Sequence, residues 1–191
     1  MERLNEKLTD AQLIHRELQA AIDHYPRLAA FRFSLRQPDV DALRLPEEAV
    51  VQFIHALQQM THQYIEIRQS EGKAAPPTML RVLWGMGTSS DIQVMLMLNL
   101  STFCCRQQQE GEETVLALIR QAWAATYSDT PFTMESQVFF PLEPCFLACR
   151  TIPAKFTAQH EVLRNIARQL PAPVAFYRMQ CVTQNNSGRF I

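Results

Sequence analysis

The sequence predicts a single α+β domain, built as one mainly antiparallel sheet with helices packed over one face. Three observations carry that prediction. At 191 residues the chain is best served by a single core. Its 47% hydrophobic and 19% charged residues supply enough apolar surface to offset the entropy of ordering, which excludes disorder and a coiled-coil rod. The hydrophobic periodicity switches repeatedly between helix and strand, in the order α-β-α-β-β-α-β-β-α-β, with no internal repeat and no inter-domain linker.

The first helix is read from Leu4, Leu8, Ala11, Ile14, Leu18, Ala21 and Tyr25, and Pro26 ends it. Residues 1–28 are therefore an amphipathic N-terminal helix packed on the remainder, 29–183. Ala30 to Arg36 alternates Phe31, Phe33 and Leu35 with Arg32, Ser34 and Arg36, the period of a half-buried strand. Pro46-Glu47-Glu48 suits a helix start, because proline fits the first turn and acids face the positive end of the dipole. Val50, Phe53, Ile54, Leu57, Met60 and Tyr64 carry that helix to about Gln69.

Met79 to Trp84 and Ile92 to Leu100 read as two strands joined by a long turn beginning at Gly85. The second is apolar on both faces and so belongs in the middle of the sheet. A helix follows over Glu112 to Tyr127, then strands over Ser136 to Phe140 and Cys145 to Arg150. A helix over Phe156 to Leu170, a strand over Val174 to Val182 and a polar tail over 184–191 complete the chain. Phe31, Phe33, Leu35, Leu96 and Leu98 are expected in the core.

The net charge is −1, so any attraction to a polyanion must come from a local patch. No apolar stretch is long enough to span a bilayer, and charges interrupt the N-terminus where a signal peptide needs an apolar run. A cytoplasmic protein with no membrane partner is expected. Five cysteines without a signal peptide argue for reduced thiols, and neither Cys104 with Cys105 nor Cys145 with Cys149 has zinc-finger spacing. His55 and His62 are seven residues apart on one helix, about 10.5 Å along its axis, too far for one ion. There is no HExxH, GxxxxGK[ST] or GxSxG motif, and Gly85-Met-Gly87 lacks the following helix that a phosphate cradle needs. No cofactor is expected.

The blocks "PRLAAFRFSLRQPD", "LRVLWGMGTSSDIQVMLMLNLSTF", "LALIRQAWAA" and "LRNIARQL...YRMQCV" follow one another in an order that resembles the YagK/YfjJ C-terminal-domain family. These are replication-associated proteins of prophages and filamentous phages, similar to rolling-circle initiators of the HUH type. The resemblance implies an arginine-bearing strand like Phe31 to Arg36, a His-x-His pair at the start of a central apolar strand, and a tyrosine-bearing helix like Leu163 to Arg168. In this chain the paired-histidine positions are Asp91 and Gln93, and Asn165 stands at the tyrosine position. In such an enzyme two imidazoles help hold a divalent ion, and the tyrosine oxygen attacks phosphorus. Asp91 could still offer an oxygen ligand, but glutamine is a poor substitute for imidazole, and an asparagine amide is not a phosphodiester nucleophile.

The resemblance thus implies a degenerate, non-catalytic Rep-like protein of a mobile element or its bacterial host, binding nucleic acid or regulating replication or transcription. Its arginines Arg32, Arg36, Arg81, Arg164 and Arg168 would bind a nucleic-acid backbone, with single-stranded or hairpin DNA as the partner. Arg164 and Arg168, four residues apart, share one helix face. An alternative is a protein-interaction module without nucleic-acid affinity, and a third reading is a divergent metal-dependent nicking enzyme.

Overall fold

A computed structural model describes residues 8–38, 45–87, 91–103, 108–127 and 138–181. Leu4, Cys104, Cys105 and the 184–191 tail lie outside the described residues. The elements are α1 (Asp10–His24), β1 (Arg27–Leu35), α2 (Pro46–Ser70), β2 (Thr78–Met86), β3 (Ile92–Asn99), a 3-10 turn (Leu100–Thr102), α3 (Gln108–Thr126), β4 (Val138–Phe139), β5 (Cys145–Cys149), α4 (Pro153–Ala167) and β6 (Ala175–Cys181).

Local chemistry sets the helix ends. Thr9 caps α1 through a capping box: its hydroxyl accepts from the Gln12 N–H at 3.3 Å, and its own N–H donates to Gln12 Oε1 at 2.9 Å. The helix closes at Tyr25, just before Pro26. The α2 helix begins with Pro46, Glu47 and Glu48 in its first turn. It ends in a Schellman motif, in which the Gly72 N–H donates to Gln69 O and the Lys73 N–H to Arg68 O. Gly72 adopts φ +71°, a conformation open to glycine and costly for most residues.

All strand pairings are antiparallel. β1 pairs with β3 in the register Phe31↔Leu96, β3 pairs with β2, and β2 pairs with β6. The outer edge of β1 is shared, with β5 along Arg27–Phe31 and β4 along Ser34 and Leu35. The sheet order from that edge is β4/β5, β1, β3, β2, β6. Leaving out β6, the run β1-α2-β2-β3-α3-β4/β5 is the split βαβ, or ferredoxin-like, arrangement.

The sheet is covered on both faces. Phe31, Phe33, Leu35, Val82, Leu96 and Leu98 point to one side and form a core with Phe53 of α2 and Trp123 of α3. The Phe53 and Trp123 rings meet edge to face at 5.9 Å. Leu28, Ala30, Leu83, Met95 and Met97 point to the other side, where Ile14, Leu18 and Ala21 of α1 and Leu163, Ile166 and Ala167 of α4 close a second core. The α+β class, the antiparallel sheet and the five expected core residues stand. The expectation that helices share one face is corrected. Leu28, Ala30, Met95 and Met97 make the second face apolar too, so it also needs cover. α1 accordingly contributes to a core of the domain.

Candidate functional site

The polar side chains of β1 lie at the far end of this second face. Ser34, Gln93 and Gly85 stand side by side across β1, β3 and β2. The connector from α4 to β6 crosses the sheet here. A Cβ placed on Gly85 would sit 2.0 Å from the carbonyl oxygen of Pro171, so only glycine admits the connector at this spacing. Arg32 reaches the same connector, where its Nη1 donates to Gln169 Oε1 at 2.6 Å.

At the end of the sheet, Arg36 and Asp91 form a bidentate pair. Nε meets Oδ1 at 2.8 Å, Nη2 meets Oδ2 at 3.1 Å, and the guanidinium lies 4.9 Å from the centre of the Phe139 ring. Both Asp91 oxygens are thus engaged by a cation 55 residues away, just past the end of β1. Gln93 is half-buried on the neighbouring row. Asn165 occupies the exposed side of α4, while Leu163, Ile166 and Ala167 take the inward positions. The structure therefore places Asp91 just ahead of β3 and Gln93 within it, while Asn165 is exposed on α4.

The five arginines do not form one set. Arg164 pairs with Glu161 at 3.5 Å, and Arg168 is exposed at the end of α4, one turn further on. Gln169, which binds Arg32, directly follows Arg168, so the end of α4 that carries Arg164 and Arg168 is joined to the strand that carries Arg32. Arg36 lies beyond it and is bound to Asp91. Arg81 is corrected: it is buried under α1, and its Nη1 donates at 3.0 Å to Glu17 Oε2, which is buried as well. Burial pulls the Arg81 guanidinium below the usual arginine range and the nearby Glu17 carboxylate opposes this, so Arg81 serves packing rather than a surface. Glu17 and Gln169 were not singled out from the sequence, and Gly85, read there as the start of a turn, lies within β2 instead. Glu17 had a visible signal, a carboxylate on the apolar stripe between Ile14 and Leu18.

Among the described residues no group of three or more His, Cys, Asp or Glu side chains is placed to hold a metal ion, and His62 pairs with Glu66 at 3.2 Å. Tyr177 donates to Glu47 at 3.3 Å, and partial burial and that carboxylate both push its hydroxyl up, which makes it a poorer nucleophile. Burial pushes the Cys181 thiol up to about 12. Cys145 is pushed up further by burial and by Glu112. No described helix is long and apolar enough to cross a membrane.

Residues 2–137 match the model of the family described as Uncharacterised conserved protein UCP030791. The chain belongs to this family. No curated protein and no solved structure matches it. The UCP030791 match spans α1 to α3 and includes Arg32, Arg36, Asp91 and Gln93, whereas β4, β5, α4 and β6, with Arg164 and Arg168, lie beyond the matched residues.

Proposed function

We propose that this chain is a non-catalytic, Rep-like protein of a mobile element or its bacterial host that binds single-stranded or hairpin DNA along the arc of Arg32, Arg164 and Arg168. One observation supports the reading: the Arg32–Gln169 bond ties β1, which carries Arg32, to the end of α4, which carries Arg164 and Arg168. Backbone contacts of this kind position a strand without reading its bases. The non-catalytic part rests on Asp91, whose oxygens are taken by Arg36, and on the outward Asn165.

The test is fluorescence anisotropy with labelled single-stranded and hairpin DNA of unrelated sequences. Arg164→Ala with Arg168→Ala should weaken all of them alike and flatten the salt dependence by about 1.4 log units per log unit, at roughly 0.7 per phosphate contact on a single strand. Unchanged affinity in the folded double variant would remove the arc. A second reading, an interaction module without nucleic-acid affinity, draws on the β4–β5 connection, where Leu142 is fully exposed and Phe139 is 42% exposed.

A further inference from the structure

A cavity of about 240 Å³ opens where β5 ends and α4 begins, on the opposite side of α4's length from the arginine arc. Its apolar walls come from Leu28 of β1, Leu100 of the 3-10 turn, Leu147 of β5 and Ile152 ahead of α4. Two cations, Arg27 and Lys155, complete the lining. Neither side chain has an acidic partner within 4.0 Å among the described residues, a state they share with Arg32 and Arg168. Among the neutral polar groups of the lining, Gln159 Oε1 accepts the Cys149 N–H at 3.1 Å. That bond also covers an outward N–H of the edge strand.

A pocket with apolar walls and a few polar groups has the composition of a small-ligand site, and here both charged groups in the lining are positive. We propose that this cavity binds a compact amphipathic anion, a carboxylate or phosphate on a short apolar body. The anionic head sits between Arg27 and Lys155, and the body lies against Leu28, Leu100, Leu147 and Ile152. The volume is below the roughly 300–1,000 Å³ of pockets for drug-sized molecules, so the body is short. The site is independent of the DNA-binding reading, because it uses none of the arc residues.

The experiment is a calorimetric and NMR titration of the full chain with hexanoate and with hexyl phosphate, using hexylamine as the charge-reversed control. At least one anion should bind with a Kd on the order of 1 mM, as expected for so small a ligand, and hexylamine should bind at least about tenfold more weakly. Whichever anion binds more tightly identifies the head group. Arg27→Gln with Lys155→Gln should weaken the anion by about tenfold or more, and Ile152→Asp should weaken it while leaving the cations in place. Lys155 is exposed, so Lys155→Gln alone preserves the fold and should weaken binding about threefold if the double variant is unstable. Absence of anion binding, equal binding of hexylamine, or full affinity in the cation variants would overturn the proposal.

Discussion

Replacing Glu17 with Gln is expected to cost about 3–5 kcal/mol, although the side chain keeps nearly its shape. Glu17 is 2% exposed and Arg81 is 4% exposed, and they meet at 3.0 Å between α1 and β2. The other Glu17 oxygen accepts from Arg16 at 2.8 Å, and Arg178 stands directly across from Arg81 on β6. The carboxylate therefore balances a group of three guanidiniums. Arg16 is half-exposed, so solvent screens it and its share is at most about 1 kcal/mol. Arg81 is different: without Glu17 it is a buried charge with no counter-ion, and that desolvation sets the magnitude. For a domain of this size the loss lowers Tm by about 6–20 °C, at roughly 2–4 °C per kcal/mol. Urea unfolding of Glu17→Gln, Arg81→Met and the double variant Glu17→Met/Arg81→Met gives the coupling. The double variant should be milder than either single change, because it leaves no charge unpaired. A cost below about 1 kcal/mol for Glu17→Gln, or a double variant as damaging as the sum of the singles, would refute the reasoning.

Gly85→Ala should destabilise by about 2 kcal/mol or more and raise hydrogen exchange in the α4–β6 connector, because the new methyl meets backbone at Pro171 that cannot rotate away. Gly72→Ala meets nothing within 4 Å and should cost only about 1 kcal/mol, through its positive φ, in the same denaturation assay. Stability should fall as pH rises from about 9 toward 12, by roughly 1.4 kcal/mol per pH unit for each thiol still protonated in the folded state and ionised in the unfolded one, since the Cys181 and Cys145 pKa values are raised on folding. Chemical denaturation at pH 8 and pH 10 checks this, and Cys181→Ser should blunt the decline. Asp91→Asn should cost no more than about 1 kcal/mol, because Arg36 is half-exposed, and by removing a negative charge beside Arg36 it should tighten DNA binding in the anisotropy assay.

Much of the fold was legible because its signals are local. Proline and two acids placed the start of α2 at Pro46, and the apolar run Val94 to Leu98 of β3 placed that strand in the sheet centre. The second helical layer was obscured by β1. Reading the strand from Ala30 keeps its alternating half, Phe31 to Leu35. The structure begins it at Arg27, and Leu28, Ala29, Ala30 and Phe31 are buried in succession. Those earlier residues are what make the second face apolar. Arg32 and Ser34 gave it a polar appearance from its far end only.

The candidate site was less legible because its contacts are distant in sequence. The Arg36–Asp91 pair joins residues 55 apart, and the Arg32–Gln169 bond joins residues 137 apart. No local period encodes either one. Arg81 looked like its neighbours in a list of cations. Only the placement of α1 over β2 separates it from them, and Glu17 on α1's apolar stripe was the sequence trace of that packing.

The most direct test of the central claim is the salt dependence of wild-type binding to a labelled single-stranded oligonucleotide. Three phosphate contacts from Arg32, Arg164 and Arg168 predict a log–log slope of about −2, at roughly 0.7 per contact, with no covalent adduct formed in magnesium or manganese. A slope near zero, undetectable binding at low salt, or a detergent-resistant protein–DNA adduct would contradict it.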